Sequence, residues 1–292
     1  MRFLDLDPEH SDPAAARAAV LPVPYEKTTS YGTGTARGPA AIIAASSQVE
    51  IFDELRGRSP AAEFGIATLA ECMPSADTPE ACVGEIEDRV AAEMREGRVL
   101  CVLGGEHSLS VGVARALAAA PGAGDLCAVV LDAHSDLRDD YDGTKYSHAC
   151  ATRRISEVMP ALVVGVRSIS SGCAEFLEGS DRVDAVYADE IVGTVPAAAV
   201  AGFCRGRRVF LSIDLDCLDP SIMPATGTPE PGGLTYWQAL AIIDEVARSA
   251  ESIAAVDVVE LAPIAGLAAP DFLAARLTYK AITAALLGPA DE

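Results

Sequence analysis

Along the chain, short runs of apolar and β-branched residues alternate with longer stretches in which apolar positions recur at helical spacing. The runs are residues 19–24, 64–69, 99–103, 127–131, 161–166, 183–187, 209–213 and 254–259, and each is expected as a strand. Helices are expected over 38–48, 79–96, 108–120, 145–158, 173–177, 196–204, 235–250 and 270–287. Residues up to about 13 are polar and expected to be irregular. Strands this continuously apolar are buried on both faces, so the expected fold is α/β, a parallel sheet covered by helices on each side. Neither a repeat nor a linker interrupts the alternation, and a single domain over residues 1–292 is expected. The longest loop without an element, 220–233, directly follows a pair of carboxylates, which marks it as functional rather than as a boundary.

Three of the runs end in candidate chemistry. Residues 127–131 lead into Asp132-Ala133-His134-Ser135-Asp136, and residues 209–213 lead into Asp214-Leu215-Asp216. Residues 99–103 lead into Gly104-Gly105-Glu106-His107-Ser108. Alternate residues of an extended strand face one side, so Asp132, His134 and Asp136 are expected to converge, as are Asp214 and Asp216. Ligands of open α/β sheets bind beyond the carboxyl ends of the strands. All of these residues fall there, as does Glu260 after the last run. A lone Asp-x-Asp after a strand is more often a turn or a helix cap than a ligand pair, and Gly-Gly-Glu-His alone is no more specific. Asp-x-His-x-Asp is different, because clustered carboxylates repel unless a cation lies between them. Oxygen and imidazole donors without thiolate suit Mn, Zn, Fe or Co, and six ligands with two imidazoles suit two ions better than one.

Charge and cysteine content narrow the picture. Lys plus Arg is 22 against 43 for Asp plus Glu, a formal net charge of −21. That balance argues against nucleic acid and anionic membrane surfaces and favours a cationic substrate, although acidity also serves solubility alone. The eight cysteines form no Cys-x-x-Cys pair, and Cys101 and Cys127 sit inside apolar runs. They read as reduced, buried thiols of a cytoplasmic protein. No apolar stretch reaches the ~20 residues a membrane span requires. Of the four histidines, His10 lies in the polar N-terminal stretch, and His148 is either a surface residue or a proton relay.

These blocks resemble the ureohydrolases, the arginase/agmatinase superfamily, over nearly the whole chain. Gly38-Pro39-Ala40-Ala41-Ile42, residues 212–220, Pro224-Ala225-Thr226-Gly227-Thr228-Pro229 and Val258-Val259-Glu260 add to the resemblance. It implies a three-layer α/β/α sandwich around a mainly parallel sheet of about eight strands, and hydrolysis of a guanidino group by two Mn2+ ions with release of urea. One ion would take His107, Asp132, Asp136 and Asp214, and the other His134, Asp132, Asp214 and Asp216, so that Asp132 and Asp214 are shared. Asp136 would also orient the attacking water, His148 would be the proton relay, Glu260 would pair with the guanidinium, and Thr228 would line its pocket.

The chain departs from an arginase where residues 137–145 lack the Asn- and Ser-rich contacts of an amino-acid clamp, and Ala149-Cys150 stands where many relatives carry Gly. It looks most like an agmatinase, expected to turn agmatine and water into putrescine and urea in polyamine biosynthesis. Aminopropylagmatine, a guanidino acid, arginine and formiminoglutamate are the other substrates of the family. An acid would need Arg138 or Arg153 as counter-ion. A catalytically inactive binding subunit is the alternative from another class, and the complete ligand set speaks against it. The expected partners are a small cationic guanidino compound and further copies of the chain in a trimer or hexamer, with no nucleic acid and no membrane.

Overall fold

The computed structural model describes residues 1–290, and a strand overlaps each apolar run. These are β1 (Ala18–Val23), β2 (Ile66–Thr68), β3 (Val99–Gly104), β4 (Leu126–Leu131), β5 (Ala161–Val166), β6 (Val183–Tyr187), β7 (Arg208–Asp214) and β8 (Ser252–Val259). The helices are α1 (Gly38–Ser46), α2 (Pro60–Phe64), α3 (Pro79–Glu93), α4 (Ser110–Ala119), α5 (Ala151–Ile155), α6 (Ser171–Gly179), α7 (Ala197–Cys204), α8 (Tyr236–Ser249) and α9 (Ala269–Leu287). The strands make one sheet in the order β2-β1-β3-β8-β7-β4-β5-β6. Every pairing is parallel.

Successive strand residues serve opposite layers. On β4, Cys127, Val129 and Leu131 pack toward one side, and Ala128 and Val130 toward the other. The first layer is completed by apolar residues of α1, α7, α8 and α9, and the second by those of α3, α4, α5 and α6. Each fully buried Val or Leu contributes roughly 1.5–3 kcal/mol, so a strand that faces helices on both sides gains from being apolar throughout. The result is the three-layer α/β/α sandwich. Among the described residues no helix is long and apolar enough to cross a membrane.

Three local expectations are corrected. Residues 145–158 do not make one helix: a 3-10 turn at His148–Cys150 leads into the short α5. The reason is that the His148 N–H bonds to the Thr28 hydroxyl, 2.9 Å away, rather than to a carbonyl one turn earlier. Helix α2, unforeseen, opens on Pro60 and stops at Gly65 (φ 70°), which leaves β2 only three residues. The N-terminal stretch is not wholly irregular. Phe3 and Leu4 are buried, and their N–H groups bond to Thr68 Oγ1 (2.8 Å) and Ser46 Oγ (2.7 Å).

Candidate metal centre

The four strands β3, β8, β7 and β4 are consecutive in the sheet, and their carboxyl ends deliver one group of side chains. His107 follows β3 through Gly104-Gly105, and Gly105 has no alternative there, because a Cβ would sit 1.9 Å from the Tyr25 carbonyl oxygen. His107 Nδ1 lies 3.2 Å from Asp132 Oδ2, 3.1 Å from Asp136 Oδ2 and 3.2 Å from Asp214 Oδ2. Its Nε2 lies 3.2 Å from Ser212 Oγ on β7. His134 Nδ1 lies 2.8 Å from Asp216 Oδ2 and 3.7 Å from Asp132 Oδ1. Donor atoms therefore gather as His107, Asp132 and Asp214, and again as Asp132, His134 and Asp216. Asp132 belongs to both groups, and Asp136 joins the first through its approach to His107. Asp214 groups with the first set alone among the described residues.

Strand alternation carries only part of the convergence that the spacing implied: the bridge from His134 to Ser168 is parallel and continues the pairing of β4 with β5, and the chain leaves it by Asp136. β4 ends at Leu131, His134 bridges to Ser168, and Asp136 takes φ 48°. Asp132 Oδ1 accepts the His134 backbone N–H at 2.6 Å, which closes the turn. Asp214 ends β7, and its side chain accepts the Asp216 N–H at 2.9 Å, so Asp216 enters from a 3-10 turn. Glu260 also takes a left-handed backbone, φ 66°. Such conformations cost a non-glycine residue of the order of 1–3 kcal/mol, and surrounding structure must hold them.

Five carboxylates (Asp132, Asp136, Asp214, Asp216 and Glu260) are buried around two imidazoles. Burial pushes Asp214 well above the usual carboxylate range, with Asp216 and Asp132 adding to the effect, and burial and Asp132 likewise raise Asp136. Burial opposes charge on His107 as well, but Asp132, Asp136 and Asp214 outweigh it and push the imidazole well up. His134 is pushed up to about 12, where Asp132 and Asp216 outweigh burial. Without a cation, this cluster has to balance its charge with protons. His107 Nδ1 and Asp132 Oδ2 are nevertheless buried with no hydrogen bond. Unsatisfied donor atoms pointing at one another across ~3 Å are what divalent ions would fill, and the residues fit them. Neighbouring thiols do not compete as ligands. Cys217 is held well above its usual pKa by burial and by Asp214 and Asp216, and Cys150 is raised to about 11 by burial and Asp136.

A cleft of about 150 Å³ opens over this cluster. Glu260 and Thr228 line it. Glu260 Oε1 accepts the His107 backbone N–H at 2.6 Å, and burial, then Glu106, pushes its carboxyl well up. His148 also lines it, with Nε2 3.3 Å from Ser30 Oγ and Nδ1 3.4 Å from Thr28 Oγ1. Its ring meets Tyr141 edge-on at 6.1 Å. Arg138 also lines the cleft and stacks 4.9 Å over Tyr141, whereas Arg153 stacks on Phe176 at 3.4 Å, outside the lining. His10 sits beside Glu9 in the N-terminal stretch.

Besides Thr28, Ser30 and Tyr141 around His148, three more residues at the site carry no role from the sequence. Ser212, which faces His107, sits two positions before Asp214 and so on its side of β7, a signal that was available. Glu106 stood inside a quoted block without a role. Arg167 had no local signal at all, yet it donates to the carbonyl oxygens of Asp216 (2.7 Å), Cys217 (3.3 Å) and Glu230 (2.9 Å) and ties the loop after β7.

A family model described as the arginase family matches residues 16–284. The chain belongs to the arginase family. It is similar to the N(1)-aminopropylagmatine ureohydrolase of Synechocystis, 36% identical over 275 residues, which covers 91% of this chain and 88% of the relative. It is 30% identical to the agmatinase of Bacillus subtilis over 249 residues, covering 85% of this chain and 84% of that one. Among solved structures, the agmatine ureohydrolase of Thermoplasma volcanium superposes with a TM-score of 0.80 at 31% identity, covering 93% of this chain and 90% of that one. This arginase-family member is therefore a hydrolase, a ureohydrolase whose relatives are named for aminopropylagmatine and agmatine.

Proposed function

We propose that this ureohydrolase splits agmatine into putrescine and urea, using two Mn2+ ions held by the side chains at the carboxyl ends of β3, β4 and β7. The observation that carries the reading is the placing of Glu260: a buried carboxylate, tied by one oxygen to the His107 backbone, in the same cleft as two ligand groups that share Asp132. A second substrate, aminopropyl-extended agmatine, is favoured by the relatives named for it, which match at 34% to 36% against 29% to 30% for those named agmatinase. The ligand sets are His107, Asp132, Asp136 and Asp214 for one ion, and His134, Asp132, Asp214 and Asp216 for the other. Manganese suits donors that are all carboxylate oxygen and imidazole nitrogen.

When bound, the ions supply Lewis-acid activation of water and stabilise the charge that develops on oxygen. The chain does the rest. Glu260 offers its second oxygen to the guanidinium, whose forked N–H groups match a carboxylate, and it neutralises the cation within a buried site. Asp136, at the edge of the first ligand group, accepts a hydrogen bond from the attacking water and orients it. Water attacks the guanidino carbon, a C–O bond forms, the C–N bond to the alkyl amine breaks, and the amine departs with a proton. His148 moves that proton, since its ring stands over the cleft between Ser30 and Tyr141. The net charge of −21 draws a cationic substrate toward the mouth.

The test is urea release, with Mn2+ present, from agmatine, aminopropylagmatine, arginine and 4-guanidinobutyrate. Agmatine or its aminopropyl derivative should show the highest kcat/KM. A preference for guanidinobutyrate would overturn the substrate and make Arg138 its counter-ion. Urea from none of the four, in protein that holds its metal, would overturn the activity.

A further inference from the structure

Glu106 is a fully buried carboxylate with no cationic partner among the described residues, and its position asks for an explanation. Its Oε2 accepts the backbone N–H groups of Lys27 and Thr28, each at 2.6 Å. Its Oε1 accepts the hydroxyls of Thr28 (2.6 Å) and Ser108 (2.7 Å). These are four neutral donors on one carboxylate. Two of the residues, Lys27 and Thr28, belong to the loop after β1, whose next residues, Thr29 to Gly32, wall the cleft. The far end of that loop is tied separately, by the Gly32 N–H to the Gly227 carbonyl at 3.1 Å.

Because Thr28 spends its hydroxyl proton on Glu106, its oxygen is left as an acceptor. It accepts the His148 backbone N–H at 2.9 Å and lies 3.4 Å from His148 Nδ1. His148 has no strand to hold it, and the break in the expected helix at that point comes from this bond. The next residue after Glu106 is His107, the metal-site imidazole. Glu106 thus joins three segments far apart in the chain: the end of β3, the loop after β1, and the turn that carries His148.

We propose that Glu106 is a positioning residue, which sets the height of the His148 ring over the cleft through the Thr28 hydroxyl and keeps the 27–32 wall in register with His107. The proposal rests on the reading of His148 as the group that moves the proton. A carboxylate accepts from all four at once; in Gln the neutral carbonyl oxygen holds the two backbone N–H groups more weakly, and the NH2 faces the two hydroxyls, which must turn to accept from it, so the Thr28 proton is no longer held by residue 106.

The experiment compares Glu106→Gln, Thr28→Val, Thr28→Ser, His148→Ala and the double variant Glu106→Gln/His148→Ala, each loaded with Mn2+. Metal content, amide hydrogen exchange at residues 27, 28 and 148, and kcat and KM for agmatine are read together. Glu106→Gln and Thr28→Val should keep their metal, speed exchange at those amides at least about tenfold, and lose roughly tenfold or more in kcat. Thr28→Ser, which restores the hydroxyl, should recover most of the loss. In the His148→Ala background, Glu106→Gln should cost no more than about twofold further, since coupled residues are not additive. Unchanged exchange at the three amides in Glu106→Gln, or a loss undiminished without the imidazole, would overturn the positioning role. Wild-type kcat in His148→Ala would instead remove the proton-moving role of His148, while the exchange data would still decide whether Glu106 holds the loop. Should Glu106→Gln fail to fold, the Val and Ser variants of Thr28 carry the test.

Discussion

Replacing Glu260 by Gln separates charge from shape at the centre of the proposed chemistry. Glu260 Oε1 is committed to the His107 backbone N–H at 2.6 Å. In Gln the single carbonyl oxygen must keep that bond, because the NH2 group would clash with an N–H donor. The NH2 is then turned toward the cleft, where the guanidinium also presents only donors. The variant therefore loses the countercharge and opposes two donors in one step. A charge-assisted hydrogen bond contributes about 1.5–3 kcal/mol, and each ~1.4 kcal/mol is a factor of ten, so kcat/KM should fall roughly tenfold to a hundredfold or more. Stability should change little, since the bond to His107 survives and burying a neutral amide costs less than burying a carboxylate. The assay is urea release from agmatine with metal content and melting temperature measured on the same preparation. A folded, metal-replete Glu260→Gln protein with wild-type kcat/KM would refute the pairing, and a loss confined to melting temperature would make Glu260 structural.

Asp132→Asn removes the carboxylate common to both ligand groups, so metal content and activity should fall together, and metal analysis that finds the wild-type content would refute the shared role. Metal binding should release protons at neutral pH. The metal-free cluster holds His134 protonated up to about 12, because Asp132 and Asp216 outweigh burial, while a ligand imidazole must be neutral. Calorimetric titration in buffers of different ionisation enthalpy measures that release, and affinity independent of pH would count against the site. The same raised pKa makes the sign of the metal-free protein's stability explicit: the His134 contribution is complete below about 6.5, its unfolded value, and is lost as pH rises toward about 12. Alkaline scans of the chelated protein should show the melting temperature falling through that range. Lys280, 2.9 Å from both Asp53 Oδ1 and Glu54 Oε2, is buried with Asp53. Asp53 keeps Arg56 at 3.4 Å as a second cationic partner, so Lys280→Met should cost about 1–3 kcal/mol, roughly 2–12 °C by calorimetry, without altering the metal content.

Much of this architecture is legible in the chain because burial imposes a local period. A strand covered on both faces must be apolar at every position, so residues 127–131 and 209–213 announce themselves, and the ligand-type residues that follow fall at the strand ends without further information. The residue types of Asp132, His134, Asp136, Asp214 and Asp216 point to divalent metal, since so many carboxylates can share one place only when cations or protons lie between them. Other features are decided by contacts between segments that no local period records. That β3, β8, β7 and β4 are neighbours, and so bring His107, Glu260, Asp214 and Asp132 together, follows from how the whole sheet packs. Strand alternation accounts for only part of the convergence of 132–136: left-handed backbone at Asp136 and the Asp132-to-His134 bond add a turn that periodicity cannot describe. His148 is the plainest case. Its segment alone reads as a helix, and a hydroxyl 120 positions earlier in the chain, held by Glu106, takes its N–H and stops that helix from starting sooner. Local preference sets which elements form, and long-range hydrogen bonding, whose partners are specified only once the sheet is assembled, sets where the reactive groups point.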